Sequence, residues 1–351
     1  MPNTPKNILI LKPSALGDIV LALPALASLR ASSPEAKITW FVRPEFAPLL
    51  NSVPNLDDMI IFDRKLLGKW WCCPKAFAEL VRLVTKLRKG EFDLVIDLQG
   101  LLRTAIFSWF TGCKKRFGMK KARELASIFY THKISLEDNA VHVIDCYEKI
   151  ITATGASKIT LNYDLSPTPE AVESVTKLLA EYELTYGNYI VFIAGAAHSH
   201  KCWPPEYFAA LAERINAEFT LPVIAIGTKT EKQIIENIKA NTNVPIVNFA
   251  GLTDISQLVA ILSGASLTVT NDTGPGHIAV ALGKPVVMIF GPTNPARINP
   301  YRCKNAIVAI DPNGRGSEID SSDPIYAIEA VSVDLVFEKV AWHLKHQKAD
   351  N

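Results

Sequence analysis

Short apolar runs alternate with longer amphipathic ones along most of the chain. Asn7–Lys12 (NILILK) is a continuous apolar run, followed by a tight loop at Pro13–Gly17 and helical spacing from about Asp18 to Arg30. Ile38–Val42, Met59–Phe62 and Asp93–Leu98 repeat the apolar run, and Ala76–Lys89 repeats the helical spacing. Strands that are apolar along their whole length and bounded by helices predict a parallel sheet covered on both faces. The pattern weakens between 103 and 165 and then restarts. Strands are predicted at Tyr189–Ala194, Pro222–Gly227, Ser266–Thr270 and Pro285–Phe290, with helices at Pro205–Ala217, Glu231–Ala240, Asp254–Ser263 and Gly274–Leu282.

The fold class read from this pattern is α/β, with two doubly wound arrays, 1–165 and 166–325. SPTPEA (166–171) joins them, and Pro169 suits a first helical turn. A last helical segment, Tyr326–Lys345 within 326–351, is expected to pack back across the first array. Doubly wound sheets bind ligands outside the carboxyl ends of their strands. Chemistry is therefore sought in the loops that follow strands, in a cleft between the arrays.

Composition changes this picture little. The chain has 351 residues, 48% of them hydrophobic and 21% charged, which is enough for two separate cores. A net charge of +2 says little about partners, and no nucleic acid is expected among them. The sequence has no apolar run of bilayer length and no signal-peptide pattern, so a cytoplasmic location is expected. Six cysteines without a Cys-x-x-Cys pair read as reduced thiols rather than a zinc site.

Five loops carry candidate chemistry. In KPSALGD (12–18), Gly17 permits close backbone approach. Asp18 is either a helix N-cap or a carboxylate acting as general base, its ionised form favoured by the helix N-terminus. No Gly-x-Gly-x-x-Gly is present, which disfavours a nicotinamide site. In TNDTGPGH (270–277), Asp272 or Thr273 can cap the next helix, Gly274 and Gly276 keep the approach open, and the free N–H groups suit a phosphate. His277 is a ligand contact or a structural imidazole. FGPTNP (290–295) is a second polar loop on the same edge.

In AGAAHSHKCWP (194–204), Lys201 either neutralises a diphosphate or is a solvated lysine. In GTKTE (227–231), Glu231 either accepts from ribose hydroxyls or is a first-turn helix glutamate. Finally, six basic residues fall within 114–123, downstream of Arg64-Lys65 and Trp70-Trp71. The basic run is a solvated face, or it attracts an acidic acceptor or an anionic membrane surface. The paired tryptophans sit at a membrane interface or fill a core.

Together these segments resemble glycosyltransferase family 9, the ADP-heptose:lipopolysaccharide heptosyltransferases. The resemblance runs from residue 7 to about 300 and rests on ILKPSALGDIVLALPAL, LVIDLQGLLRTA, Lys-x-Trp-Pro at 201–204, and NDTGPGHIAVALGKPVVMIFGPTNP. ARELASIFY (122–130) is more similar to heptosyltransferase I, which adds the first heptose to 3-deoxy-octulosonate (Kdo) on lipid A. The resemblance implies a GT-B fold, inverting transfer, ADP-heptose as donor, a Kdo-lipid A or related core acceptor, and no cofactor or required metal. It also implies work at the cytoplasmic face of the inner membrane.

The same resemblance makes Asp18 the base. It implies that the donor diphosphate lies near Ala197, Lys201, Asp272, Thr273 and Gly274, and the adenosine near Glu231, Leu252 and His277. The acceptor is implied near Ser14, Gly17, Arg64 and Arg123. The chain departs from the family pattern at Ala196-Ala197, often Thr or Ser, and at Cys146, where the family pattern carries Arg. Another acceptor, another nucleotide sugar and a nucleotide-sugar epimerase are the alternative readings.

Overall fold

The computed structural model describes residues 5–136, 142–301, 303–315 and 320–347. The chain divides into two compact units, Met1–Asp164 and Leu165–Asn351. The first runs β1 (Asn7–Leu11), α1 (Leu16–Leu21), α2 (Leu23–Ser32), β2 (Lys37–Val42), α3 (Ala47–Leu50), β3 (Asp58–Ile61), α4 (Arg64–Leu67), α5 (Pro74–Lys89), β4 (Leu94–Asp97), α6 (Leu102–Phe110), β5 (Arg116–Met119), β6 (His132–Ile134) and α7 (Val143–Ala153). The second runs α8 (Pro169–Ala180), β7 (Ile190–Ile193), α9 (Pro205–Phe219), β8 (Val223–Ala225), α10 (Lys232–Ala240), β9 (Ile246–Asn248), α11 (Ile255–Ser263), β10 (Leu267–Asn271), α12 (Gly274–Ala281), β11 (Val286–Phe290), α13 (Pro295–Ile298), β12 (Ile307–Ala309) and α14 (Val333–Gln347).

Each unit is built on a six-stranded sheet, ordered β3-β2-β1-β4-β5-β6 in the first and β12-β11-β10-β7-β8-β9 in the second. The ladders between these strands are parallel. Read from each unit's own first strand, both orders are the same doubly wound order, 3-2-1-4-5-6. The order reverses between β1 and β4 in one unit, and between β7 and β10 in the other. Chains leaving the carboxyl ends of those strands diverge to opposite faces and open a crevice there. That geometry selects the loops after β1, β4, β7 and β10.

Apolar side chains close both faces of each sheet. In the first unit Phe41, Phe62 and Phe107 pack with ring centroids 5.1 to 5.3 Å apart. In the second, Trp203 is fully buried and donates its indole N–H to Val331 O at 2.8 Å. Among the described residues no helix is long and apolar enough to cross a membrane.

The structure corrects three expectations. Helical spacing from Asp18 to Arg30 resolves into α1 and α2, split at Ala22, and α2 opens with Pro24 in its first turn. Asp18 is therefore the third residue of α1, not its N-cap. The weak region 103–165 holds α6, β5, β6 and α7, whose strands are too short to leave an apolar signature. The C-terminal segment does not belong to the first core. Val336, Val340 and Leu344 of α14 are buried in the second unit's core, together with residues of α9, β10 and β11.

Candidate active site

The loop after β1 brings a buried cation to a half-exposed carboxylate. Lys12 is 4% exposed, and its Nζ lies 3.2 Å from Asp18 Oδ2 and 3.4 Å from Leu98 O at the end of β4. The Ala15 N–H also donates to Asp18 Oδ2, at 3.4 Å. Among the described residues no bond reaches Asp18 Oδ1, and the side chain is 45% exposed. One carboxylate oxygen is thus fixed while the other faces outward. Ser14 and Gly17 flank it, each partly exposed.

Tyr147 of α7 completes the cluster from beneath. Its ring centroid lies 5.6 Å from Lys12 Nζ. Burial works against the Lys12 ammonium, but Tyr147 and Asp18 outweigh it and raise its pKa above the ordinary lysine value. Burial raises the Tyr147 phenol likewise. Cys146, one residue earlier in α7, is itself buried. The cation beside Asp18 therefore comes from the end of β1 rather than from α7.

The neighbouring β4 end is held by Asp97, which is fully buried. It accepts from Gln99 N at 2.9 Å, Gly100 N at 3.0 Å and the Tyr130 hydroxyl at 2.8 Å. Burial pushes its pKa above the ordinary carboxylate value, and these bonds offset that only in part. Gly100 has φ 69°, a left-handed turn that favours glycine. Arg123 joins the same edge through its backbone, donating to Gly100 O at 3.1 Å, and its side chain is exposed. Arg64 opens α4, whose N-cap is Asp63, and shares a cleft with Arg103.

In the second unit Asn271, the last residue of β10, staples two loops. Its amide donates to Ala194 O at 2.7 Å and accepts from Trp203 N at 3.1 Å. This bond fixes the segment carrying Lys201, whose Nζ lies 3.3 Å from Asp320 Oδ1 and 3.9 Å from Asp272 Oδ2. Lys201 is only 18% exposed, so it is not a freely solvated lysine. His277 Nε2 lies 3.9 Å from the other Asp272 oxygen.

Thr273 occupies the N-cap of α12 but makes no side-chain capping bond. Among the described residues its hydroxyl and His277 Nδ1 are buried without hydrogen-bond partners. Buried polar atoms normally find partners. Two orphans beside a cation and a free helix start leave donors that an oxyanion can take up. Gly274 lies in the first turn of that helix, partly exposed.

The GTKTE loop closes on this edge. Glu231 Oε2 accepts from Thr228 N at 2.6 Å and Thr228 Oγ1 at 2.8 Å. Its Oε1 lies where a Cβ on Gly195 would come within 1.9 Å. Gly251 donates to Gly227 O at 2.8 Å, which brings the exposed Leu252 beside the same loop. Ala197, Lys201, Glu231, Leu252, Asp272, Thr273, Gly274 and His277 therefore gather around the carboxyl ends of β7, β8, β9 and β10.

A family model described as glycosyltransferase family 9 (heptosyltransferase) matches residues 80–325. The chain belongs to glycosyltransferase family 9. It is 28% identical over 311 residues to the lipopolysaccharide core heptosyltransferase OpsX of Haemophilus influenzae, covering 87% of this chain and 85% of that protein. It is 29% identical over 306 residues to lipopolysaccharide heptosyltransferase 1 of Pseudomonas aeruginosa, covering 84% and 81%. The Escherichia coli heptosyltransferase WaaC, solved with ADP-2-deoxy-2-fluoro heptose, superposes with a TM-score of 0.73 at 23% identity, over 96% of this chain and 99% of that one. The fold class is GT-B, and this family 9 member is a glycosyltransferase. The epimerase alternative loses its support.

Sequence reasoning on this glycosyltransferase passed over Lys12, Tyr147, Asn271, Asp320 and Arg103. Lys12 left a signal, since it is a charge at the end of a run of five apolar or neutral strand residues. Asn271 stood inside the quoted motif without a role. Tyr147 and Asp320 lie far along the chain from the loops they reach, and nothing local marks them.

Proposed function

We propose that this glycosyltransferase moves heptose from ADP-heptose to a Kdo sugar of the lipopolysaccharide inner core, with inversion. The acceptor hydroxyl attacks the anomeric carbon, its proton passes to Asp18 Oδ1, and ADP leaves from the opposite face. General-base help of this kind contributes about 10²–10⁴-fold. Lys201 and the start of α12 stabilise charge on the leaving diphosphate, with the Thr273 hydroxyl as a donor. Glu231, Leu252 and His277 meet the adenosine, Ala197 the diphosphate through its backbone, and Asp272 orients Lys201. Ser14 and Gly17 border the acceptor, and Arg64 and Arg123 meet its anions. No cofactor enters these steps.

The observation that carries the reading is the Asp18 carboxylate, with one oxygen pinned by buried Lys12 and the other unpartnered among the described residues. The curated relatives named as heptosyltransferases supply the donor and acceptor class. The protein works at the cytoplasmic face of the inner membrane, where the exposed Lys114, Lys115, Lys120 and Arg123 meet anionic lipid. Flotation with anionic liposomes checks this, and absence of binding at low salt overturns it.

The deciding assay follows ADP release from ADP-heptose with and without a deacylated Kdo-containing acceptor. Acceptor-dependent release, with a product heavier by one heptose, is expected. ADP binding without acceptor-dependent release would retain the nucleotide site and overturn the acceptor.

A further inference from the structure

The first unit contains a cleft of about 910 Å³ walled by α4, α5, α6 and the turn at 68–71. Its floor is apolar, with Phe62, Leu67 and Phe107 buried there. Its walls carry Trp70 and Trp71, which remain 50% and 75% exposed. Large aromatic side chains left this open on a folded chain mark a surface that something covers. Phe77 and Val81 of α5 and Trp109 of α6 extend the exposed apolar surface of the helices that wall it.

Arg64 and Arg103 line the same cleft. Among the described residues neither has a carboxylate within ion-pair distance, whereas nearby Arg43 is paired with Glu45 at 2.7 Å. Burial, and then the like charge of Arg64, hold Arg103 below the ordinary arginine pKa. Two guanidiniums that share a cleft, with Glu124 acting on Arg103 only from beyond ion-pair distance, are arranged for an anion, and guanidinium matches phosphate geometry. The volume falls in the range of ligand sites, about 300–1,000 Å³. A deep apolar floor under an arginine pair fits an amphiphile with one chain inside and a phosphate at the mouth.

We propose that this cleft binds an acyl chain of the phosphorylated lipid that carries the acceptor sugar, with the lipid phosphate on Arg64 and Arg103. The inference rests on the acceptor reading above and deepens it. The acceptor is then recognised by its lipid as well as by its sugar, and Arg64 serves the phosphate end of the chain site.

The test has a binding arm and a kinetic arm on the full chain. Dodecyl phosphate below its micelle concentration is titrated by calorimetry and by tryptophan emission, with dodecyl maltoside and inorganic phosphate alongside. Dodecyl phosphate is expected to bind at least tenfold tighter than either and to shift the emission. Arg64→Gln and Ile106→Asp are each expected to weaken it at least tenfold while the first unit's thermal transition stays near wild type, which shows that the mutated unit folds. Equal binding of dodecyl maltoside, equal binding of inorganic phosphate, or no binding overturns the site. A rise in mass with protein concentration that Trp71→Ser abolishes would assign the surface to a second copy and also overturn it.

In the kinetic arm, an acylated acceptor is expected to show a KM at least tenfold below the deacylated one, with kcat similar. Equal KM values, with transfer intact, overturn the chain site and leave the proposed reaction standing. Dodecyl phosphate binding without transfer to either acceptor overturns the proposed reaction, and with it the acceptor as the source of the chain.

Discussion

At the scale of single residues, the Lys12–Asp18 pair decides which substitution tests the base. Asp18→Ala removes the partner of a buried ammonium, and an unsatisfied buried donor costs about 1–3 kcal/mol, more when charged. Lost activity in that variant would mix chemistry with stability. Asp18→Asn keeps an oxygen for Lys12 while removing the carboxylate's charge and basicity, so it leaves the buried donor satisfied. It is expected to lower kcat at least 100-fold with ADP affinity unchanged, and kcat near wild type would remove Asp18 from the base role. Lys12→Met takes away the group that pins Oδ2. It is expected to lower kcat at least tenfold in the same assay without changing ADP binding.

Because the folded pKa of Lys12 is raised above the ordinary lysine value of 10.5, its stabilising contribution is fully present below that value and is lost only as pH rises through the folded pKa. A pH–rate profile between neutrality and mild alkalinity should therefore show no loss traceable to Lys12. Only part of this cluster was legible locally. Lys12 and Asp18 are neighbours in one loop, but α7 supplies Tyr147 through tertiary packing, and sequence periodicity does not report packing.

At the scale of elements, the sequence was read well where strands are long and central, and poorly at the edges. β1 and β11 are largely apolar five-residue runs, and β10 (LTVTN) is a five-residue buried strand closed by the Asn-Asp-Thr-Gly loop, so their positions follow from pattern alone. β9 and β12 are three-residue edge strands, Ile246–Asn248 and Ile307–Ala309, too short for any periodicity. The loops after central strands were legible as sites because glycine, proline and capping residues mark them. Their mutual contacts were not. Gly195 shows why: its lack of a side chain matters only because Glu231 packs there, from a different loop.

Gly195→Ala would drive a Cβ into the Glu231 carboxylate and displace it from Thr228. ADP affinity is expected to fall at least tenfold, with the thermal transition close to wild type. Unchanged affinity would detach the GTKTE loop from nucleotide binding. The misread C-terminal helix has its own check. Leu344→Ala empties a site 4% exposed in the second core and should cost about 2–5 kcal/mol in urea unfolding. A cost near zero would mean that α14 does not seal that core.

At the scale of the whole molecule, the proposed reaction divides its labour between two units with separate sheets and separate apolar cores. Asp18, Lys12 and the arginines belong to the first unit, whereas Lys201, Asp272 and the α12 start belong to the second. Each unit has its own sheet and its own apolar core, so one cooperative transition is not required of the chain. Nucleotide that binds only the second unit stabilises only the equilibrium in which that unit folds. At a free concentration 100 times its Kd, the gain is about 2.7 kcal/mol. Calorimetry of the intact chain should then resolve two transitions, with saturating ADP raising one and leaving the other in place. Lys201→Ala should abolish most of that shift, because it removes the cation proposed to meet the diphosphate. Asp18→Asn should keep it in full, because the base takes no part in holding ADP. If ADP raised both transitions together, the units would unfold as one body. If Asp18→Asn abolished the shift while Lys201→Ala kept it, the assignment of donor to the second unit would be reversed.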